Sequence, residues 1–286
     1  MRVRSFAKIN LGIEVIRKRE DNYHEIRTLF QSIDFYDELE FKPVPRDEII
    51  LQGDDSSIPW DRDNLIFRAV VLLKEKFNLS QGVEIQVRKN IPPGKGLGGG
   101  SSNAAVTLFV MNRLWGLRQK KRDLMRLGGL IGADVPYFLE GGLCLGEERG
   151  DKIVPLPDFS QYYCLLALPS FSISTPQVYS RLSLTSKDKD SKINRFLADK
   201  NIGSLENRLE ETVVNLYPQL KEIKDYFQRL GSELSLVSGT GSAVFGLFRE
   251  KERAERGFEE SRKRYPSLLV EILSRESYWK KLMVGV

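Results

Sequence analysis

The chain has 286 residues, 41% of them hydrophobic and 29% charged, which is typical of a globular protein with a large buried core. The formal net charge of +5 suits an anionic ligand, but basic and acidic residues are interspersed, which argues against nucleic acid as a partner. No targeting segment or membrane-spanning apolar run is recognisable, so we expect a cytoplasmic protein without a membrane partner. Cys144 and Cys164 lie in apolar contexts without metal-ligand spacing and are expected to be buried thiols.

The N-terminal segment predicts a strand in which apolar and polar side chains alternate. The apolar residues from Ile9 to Val15 fall on one face, so Lys8 and Asn10 project together from the other, two residues apart. Alternation alone favours a solvent-exposed outer face for these two polar side chains.

A charged, turn-like segment then leads into residues 23–30, which we expect to pair with the first strand as a hairpin. This second strand carries His24, the only histidine of the chain. A lone histidine is more often a structural hydrogen-bonding group than a catalyst, so its position alone assigns it no role. Its neighbours Tyr23 and Phe30 offer aromatic faces for stacking on a nucleobase.

The most informative stretch is a glycine-rich run, residues 94–100, in which five of the seven residues are glycine. It lies between a half-buried strand predicted over residues 83–87 and a helix predicted over residues 104–115, apolar on nearly all sides. Ser101, Ser102 or Asn103 would cap that helix, and Gly116 would end it. The free N–H groups of the loop and the positive end of the helix dipole converge, so an anion such as phosphate is the natural occupant. A linker would have polar flanks, and a structural turn needs only one or two glycines.

Three known phosphate loops do not describe this run. A Walker A loop needs a lysine before its final Ser or Thr, and the run ends in Gly100-Ser101-Ser102. The spacing of Gly94, Gly96 and Gly99 matches the dinucleotide fingerprint, but prolines precede it and no acidic strand end follows about twenty residues later. The HRD and DFG triplets of protein kinases do not occur in the chain.

The remaining segments mix helices with strands. One helix follows residues 61–64 and runs to Phe77, and another ends at Gly132, after which Asp134 and Pro136 have the spacing of a helix cap. The second half predicts a strand over 162–168, a short helix from Thr175, helices over 205–216 and 218–230, a strand–turn–strand unit over 236–245, a helix over 252–263 and a closing strand. This order indicates an α+β fold in two lobes.

Three motifs together resemble the GHMP superfamily of small-molecule kinases: Ala7-Lys8-Ile9-Asn10-Leu11, residues 92–103 and residues 237–242. The pairing of Tyr23-His24-Glu25 with Gly132-Ala133-Asp134-Val135-Pro136 is similar to the member that acts on a cytidine diphosphate sugar alcohol. The likeness runs from about Phe6 to Phe248. It implies the two-lobed GHMP kinase fold, with mixed sheets packed with helices, an N-terminal domain over 1–155, a C-terminal domain over 156–286 and an active site in the cleft between the lobes.

The resemblance also implies the reaction, which is transfer of a phosphoryl group from ATP to the 2-hydroxyl of the cytidyl substrate, a tertiary alcohol, in the non-mevalonate route to isoprenoid precursors. Asp134 matches the catalytic aspartate that takes the hydroxyl proton. Lys8 matches the lysine that holds this carboxylate ionised, orients the hydroxyl and opposes its developing charge. With this second motif in view, Lys8 becomes a catalytic residue rather than part of an exposed face, and Asn10 would donate to the substrate.

The binding residues implied by the resemblance form two groups. The ATP phosphates and adenosine would be held by Pro92, Pro93, Gly94, Lys95, Gly96, Leu97, Gly98, Gly99, Gly100, Ser101 and Ser102, with Asn64 at the adenosine end. Cytidine would be held by Tyr23, His24, Phe30 and Tyr179 beside Thr175, with Gly239, Thr240, Gly241 and Ser242 closing over the acceptor and triphosphate. Mg²⁺ is expected with ATP, without a protein ligand that the sequence makes evident. The protein would be a monomer or a homodimer.

Two positions depart from the family pattern. Residues 146–151 read Gly-Glu-Glu-Arg-Gly-Asp where a Gly-x-Gly-x-Gly-Glu pattern is usual, which puts the local hairpin geometry in question. Lys95 stands where a small residue is common, and it would either contact phosphate or point to solvent.

Two alternatives remain. A GHMP kinase for a mevalonate-type or homoserine-type acceptor would not need an aromatic–histidine pair for a pyrimidine, so Tyr23, His24 and Tyr179 count against it. A ligand-sensing protein on the same fold would bind nucleotide without turnover, and loss of Lys8 or Asp134 would be its signature; both are present.

Overall fold

The computed structural model describes residues 1–158, 162–183 and 191–283 and contains two β-sheets. The first sheet has six strands in the order β3-β4-β2-β5-β6, with β1 paired to β2. Their bounds are β1 Arg2–Lys18, β2 His24–Val44, β3 Ile49–Gly53, β4 Gly82–Arg88, β5 Leu143–Glu147 and β6 Lys152–Pro155. β1 and β2 form the predicted antiparallel hairpin, interrupted by three register shifts.

Four helices accompany this sheet: α1 Leu65–Phe77, α2 Gly99–Leu114, α3 Lys121–Ile131 and α4 Val135–Phe138. α2 is buried along most of its length, as its apolar character predicts, because it packs between α1 and the strands β1 and β2. The chain leaves α2 through Gly116, whose φ of +62° is the left-handed conformation of a helix C-terminus.

The second sheet is antiparallel, in the order β10-β7-β9-β8. Its strands are β7 Tyr163–Ala167, β8 Leu234–Val237, β9 Val244–Phe248 and β10 Ser267–Glu271. The helices of this half are α5 Thr175–Ser180, α6 Lys192–Asp199, α7 Glu210–Leu216, α8 Gln219–Arg229 and α9 Lys251–Ser261. Among the described residues, none of the helices is long and apolar enough to cross a bilayer.

The strand predicted after the 252–263 helix is present as β10, but it does not close the chain, because α10, Arg275–Leu282, follows it. Ser274 caps this helix by accepting a hydrogen bond from the backbone N–H of Ser277. Tyr278 is fully buried against the first lobe, where its hydroxyl donates to the Phe138 carbonyl at 2.7 Å. The final helix therefore packs on the first lobe rather than the second.

The two sheets share a core. Ile9 and Leu11 of β1 lie in the same buried cluster as Leu166 of β7 and Phe245 of β9. On its other side, β1 is covered by α2. Both faces of this strand are therefore buried, and the solvent-exposed outer face that alternation favours does not exist here.

Candidate active site

The strand β1 places Lys8 and Asn10 inside the protein, with only 4% and 3% of their surfaces exposed. The Lys8 ammonium donates to Asn10 Oδ1 at 2.6 Å and lies 3.4 Å from Asp134 Oδ2. The Asn10 amide in turn donates to Thr28 Oγ1 on β2 at 2.8 Å. The structure thus brings together the two predicted catalytic residues, which are 126 positions apart in sequence.

Asp134 lies between α3 and α4, directly before the first residue of α4. Asp134 occupies the N-cap position of α4, as the sequence predicts, but its carboxylate makes no side-chain capping hydrogen bond to the helix. Its side chain is one-third exposed, whereas that of Lys8 is almost completely buried. This arrangement leaves the carboxylate accessible to a substrate hydroxyl, with a fixed positive charge beneath it.

The glycine loop begins α2 without help from a side chain. α2 starts at Gly99, and the capping position is Gly98 with φ of +71°, so Ser101, Ser102 and Asn103 lie inside the helix and the predicted side-chain cap is wrong. Ser102 Oγ accepts from Ser5, and the Asn103 amide donates to Ser5 and to Asp37, because both side chains point into the core. The N–H groups at the start of this sixteen-residue helix are therefore available to donate hydrogen bonds to an anion.

Close packing explains why glycine is required in the loop. A Cβ at Gly96 would lie 1.9 Å from the Ser238 carbonyl oxygen, and one at Gly98 would lie 2.7 Å from the Phe138 ring and 3.1 Å from Lys8 Cε. The backbone N–H of Lys8 also donates to the Leu97 carbonyl at 3.0 Å. The phosphate-type loop and the Lys8–Asp134 pair consequently form one site.

A buried aspartate that the sequence analysis missed anchors the start of the loop. Asp37 is fully buried; its Oδ1 accepts from the backbone N–H groups of Asn90 and Ile91 at 2.8 and 2.9 Å. Its Oδ2 accepts from Asn103 and from the Lys89 ammonium. Asp37 lies among other charged residues of β2, such as Asp34, Glu38 and Glu40, so no local signal in the sequence distinguishes it.

Lys95 neither points to solvent nor extends toward a phosphate position, so both predicted orientations are wrong. Its side chain is 6% exposed, and its ammonium donates to the backbone carbonyls of Pro169, at 2.6 Å, and Phe171. Burial lowers its pKa below the usual lysine value. The backbone of the loop at this position remains available to an anion. The Lys95 ammonium, however, is directed toward the second lobe.

The turn between β8 and β9 lies over Asn10 and the glycine loop. Ser238 Oγ donates to the Gly96 carbonyl at 2.9 Å and accepts from the Asn10 backbone N–H at 3.3 Å. A Cβ at Gly239 would lie 3.2 Å from Asn10 Oδ1. The Thr240 hydroxyl forms a 2.9 Å hydrogen bond with that of Thr175. Gly241 leads into Ser242, which is fully buried and whose hydroxyl donates to the Phe171 carbonyl.

The predicted cytidine pocket is only partly assembled from the residues expected. The His24 ring stacks on Tyr179 of α5, with ring centroids 4.9 Å apart, and Tyr23 is 54% exposed. Burial raises the pKa of Tyr179, as does the charge of Asp134, which places this tyrosine close to the catalytic pair. Phe30 offers no stacking face, because it is 1% exposed, packs against Tyr137 and lies under the Lys8 ammonium.

His24 carries a neutral ring at neutral pH. Burial lowers its pKa below the ordinary value of 6.5, and the nearby positive charge of Lys18 lowers it further. A neutral imidazole has one hydrogen-bond donor and one acceptor, which matches the donor and acceptor of a cytosine edge.

The unusual residues 146–151 still form a hairpin. β5 and β6 pair in antiparallel register, and Glu148 and Gly150 turn the chain with φ of +61° and +92°. Arg149 pairs with Asp151, and its guanidinium carbon lies 5.1 Å from the Tyr23 ring centroid. The departure from the family pattern therefore lies beside Tyr23.

Asn64 caps α1: its Oδ1 accepts from the Ile66 N–H at 2.9 Å and its amide donates to the Pro59 carbonyl at 2.8 Å. The position is near the loop, because a Cβ at Gly100 would lie 3.7 Å from Leu65.

Within the described part of the chain, no group of three or more His, Cys, Asp or Glu side chains is arranged to hold a metal ion.

The sequence matches two family models, the GHMP kinases N terminal domain over residues 64–142 and the GHMP kinases C terminal over residues 194–267. It is 38% identical to the 4-diphosphocytidyl-2-C-methyl-D-erythritol kinase of Caldicellulosiruptor bescii, over 91% of this chain and 93% of that protein. It is 40% identical to the enzyme of the same name from Syntrophus aciditrophicus, over 89% of this chain and 92% of that protein.

Solved structures agree with these relationships. A crystal structure of a 4-(cytidine 5′-diphospho)-2C-methyl-D-erythritol kinase, 33% identical, covers 95% of this chain and 99% of that chain with a TM-score of 0.82. A homoserine kinase from Cytophaga hutchinsonii is 18% identical and superposes over 96% of this chain and 94% of that chain, with a TM-score of 0.78. At this level of identity, the similarity shows the shared fold alone. The chain therefore belongs to the GHMP kinases and, within them, to the 4-diphosphocytidyl-2-C-methyl-D-erythritol kinase family.

Proposed function

We propose that this protein transfers the γ-phosphoryl group of ATP to the 2-hydroxyl of 4-diphosphocytidyl-2-C-methyl-D-erythritol, giving the 2-phosphate and ADP, in the non-mevalonate synthesis of isoprenoid precursors. One observation carries the proposal: the Lys8–Asp134 pair, with its 3.4 Å separation, lies between a glycine loop at a helix N-terminus and the His24–Tyr179 stack. In this proposal, a phosphate-binding loop, a proton acceptor and a base-binding surface are neighbours in one site. The names of the relatives support this acceptor.

In the proposed reaction, Asp134 accepts the proton of the 2-hydroxyl as its oxygen attacks the γ-phosphorus. The bond from that phosphorus to the bridging oxygen breaks, and ADP leaves with the electron pair. Lys8 opposes the negative charge that develops on the attacking oxygen, and Asn10 fixes the ammonium through its 2.6 Å hydrogen bond. Such catalysis consists mostly of positioning and charge stabilisation, which a rigid, buried lysine supplies.

The ATP phosphates would lie on the backbone of residues 92–102, with the α2 N-terminus directed at them. Mg²⁺ bound with ATP would neutralise phosphate charge. The residues present fit a metal held mainly by the nucleotide, because a carboxylate cluster is absent from the described residues.

The cytosine would bind at His24, Tyr23 and Tyr179, with the edge of the base on the neutral His24 ring. Its ring would stack on the exposed face of Tyr23, whose other side is covered by Arg149. Thr175 and Thr240, joined by a hydrogen bond, would close the acceptor side of the site. Phe30 is buried and would therefore not contact the cytosine.

Two further proposals accompany this function. We assign residues 1–155 to an N-terminal domain and 156–286 to a C-terminal domain, because the two sheets fall on either side of this boundary. Helix α10 of the second domain returns to pack on the first. A cytoplasmic location is supported by two buried, unpaired thiols, Cys144 and Cys164, whose pKa values burial raises. An acceptor of the mevalonate or homoserine type is disfavoured by the His24–Tyr179 stack, and a sensor without turnover by the intact Lys8–Asp134 pair.

The proposal is tested by measuring ADP release from ATP and Mg²⁺ with each of three acceptors: the cytidyl compound, mevalonate and homoserine. We expect saturable turnover with the cytidyl compound alone. Turnover with mevalonate or homoserine would assign the protein to another GHMP activity. Saturable ATP binding without turnover on any of the three would favour the sensor.

A further inference from the structure

We propose that Lys95 is a positioning residue that couples nucleotide binding to acceptor binding, by joining the glycine loop to the segment that leads into α5. This inference rests on the proposed function, because it assigns the two ligands to the two sides of the same site. In this proposal, the Lys95 side chain acts on the neighbouring segment, and the backbone of the loop makes the phosphate contacts.

The first observation is the environment of the Lys95 ammonium. It lies in the interior and donates to two backbone carbonyls, those of Pro169 and Phe171. No ion pair between Lys95 and a carboxylate is found in the described ranges 1–158, 162–183 and 191–283. A buried ammonium is costly unless its donors are satisfied, so this side chain holds residues 169–171 in one position relative to the loop.

Further hydrogen bonds reinforce the same junction. The Ile173 N–H donates to the Gly94 carbonyl at 3.4 Å, and Ser172 Oγ donates to the Pro93 carbonyl at 3.3 Å. The Phe171 carbonyl also accepts from Ser242 Oγ at 2.5 Å, and the Lys95 carbonyl accepts from the Ala243 N–H at 3.1 Å. The loop, residues 169–173 and the β8–β9 turn are therefore joined by hydrogen bonds, and the ammonium contributes the charged contact among them.

The second observation is where the held segment leads. α5 begins at Thr175, two residues after Ile173, and carries Tyr179 on its last turn. Thr175 bonds to Thr240 at 2.9 Å, and Tyr179 stacks on His24. A shift of residues 169–173 would thus displace both acceptor-side contacts, so a loop ordered by nucleotide phosphates also orders the acceptor pocket.

Coupling of this kind is reciprocal: each ligand tightens binding of the other by the same factor. The test measures this factor by calorimetric titration of the β,γ-imido analogue of ATP with Mg²⁺, without and with saturating 4-diphosphocytidyl-2-C-methyl-D-erythritol. In the unmodified protein we expect the acceptor to tighten nucleotide binding about fivefold or more, the lower end of typical coupling. In Lys95→Met, which keeps the length of the chain but loses the donors, we expect a factor close to one.

Two further variants separate positioning from stability. Lys95→Arg retains donors for both carbonyls and should restore most of the coupling. Lys221→Met, a matched change at an exposed lysine paired with Asp225 on α8, should leave the coupling factor as in the unmodified protein. If Lys95→Met lowers the melting temperature but keeps the full coupling factor, Lys95 is a structural contact only and the inference is overturned.

A measurement on the unmodified protein covers the case in which Lys95→Met does not fold. The ATP analogue alone should slow amide hydrogen exchange over residues 169–174, and unchanged exchange there would overturn the inference. A coupling factor of one in the unmodified protein would also overturn it, even if turnover of the cytidyl compound is normal. Failure of the acceptor to bind at all would instead contradict the proposed function.

Discussion

At the residue scale, Lys8 and Asp134 differ in burial, which suits them to different proposed roles. The ammonium is enclosed and held by Asn10, whereas the carboxylate is one-third exposed and carries no capping bond. A group that exchanges a proton with a substrate must be accessible to it, and a group that supplies a fixed charge acts best when its position is constrained. The geometry therefore favours Asp134 as the base and Lys8 as the charge that stabilises the transition state.

Replacing Asp134 by Asn should reduce kcat by about 10²–10⁴, the usual contribution of a general base, with little change in the Kd of the ATP analogue. Steady-state kinetics and calorimetry measure the two quantities. Asp123→Asn is the matched control, because Asp123 on α3 has a similar side-chain exposure, 34% against 33%, but pairs with Arg126 on the surface of the same helix. Equal activity of the two variants would remove Asp134 from the mechanism.

The pH dependence of acceptor binding should report on His24. The lowered pKa keeps the ring neutral at pH 7, and protonation replaces its acceptor nitrogen with a second donor, which repels the amino group of cytosine. The KM of the cytidyl substrate should therefore be constant at neutral pH and rise as the pH falls below the ordinary histidine value of about 6.5, while the KM of ATP does not follow it. His24→Gln should abolish this acidic rise; its persistence in that variant would place the titrating group elsewhere.

At the element scale, the glycine loop depends on a fixed start and a close approach to its neighbours. Asp37 of β2 holds the backbone just before the loop through two N–H groups, Lys89 and Asn103. Gly96 then passes so near the Ser238 carbonyl that no side chain fits. These contacts fix where the loop starts and where it passes Ser238.

Asp37→Asn should destabilise the protein by about 3–5 kcal/mol, because it leaves the buried Lys89 ammonium without its counter-charge. Urea unfolding measures the loss. The neighbouring control Glu38→Gln removes an exposed pair with Arg88 and should cost about 0–1 kcal/mol. A similar small cost for both substitutions would show that Asp37 does not anchor the loop.

Gly96→Ala should raise the KM of ATP and lower the melting temperature, because its Cβ would overlap the Ser238 carbonyl and its φ of +73° disfavours a side chain. Gly100→Ala is the comparison, since its Cβ meets nothing nearer than Leu65 at 3.7 Å and the residue lies within α2. Melting curves of the two variants should differ clearly. Equal melting temperatures would contradict the tight approach at Gly96.

The elements that could be predicted from the sequence are those whose patterns are local. The strand before the glycine loop, the buried helix after it and the first hairpin follow from periodicity and turn residues, and the structure confirms them in β4, α2 and β1–β2. The start of α2 was placed too late, because Ser102 and Asn103 are used by core partners on β1 and β2. α6 and α10 are short and were not predicted.

At the scale of the whole molecule, the site is assembled from contacts that no local pattern encodes. Lys95 meets its carbonyl partners 74 and 76 residues later, and Asp37 meets Ile91 across 54 residues. The burial of Lys8 and Asn10 likewise depends on cover from the glycine loop and the β8–β9 turn. Motif resemblance identified Lys8, Asp134, His24 and Tyr179, but it could not show that Phe30 is enclosed in the core.

The shared core gives the site its rigidity. β1 carries Lys8 on one face and on the other contributes Ile9 and Leu11 to a cluster shared with both sheets. The two lobes are therefore joined directly beneath the proposed reaction centre.

A competition experiment would show whether this site phosphorylates a cytidyl alcohol in preference to other acceptors. Equimolar 4-diphosphocytidyl-2-C-methyl-D-erythritol, mevalonate and homoserine would be incubated with limiting ATP and Mg²⁺, and the products identified by mass spectrometry and ³¹P NMR. We expect the cytidyl compound alone to gain a phosphate, as a monoester at its 2-hydroxyl. Phosphorylation of mevalonate or homoserine, or ADP formation without a phosphorylated acceptor, would contradict it.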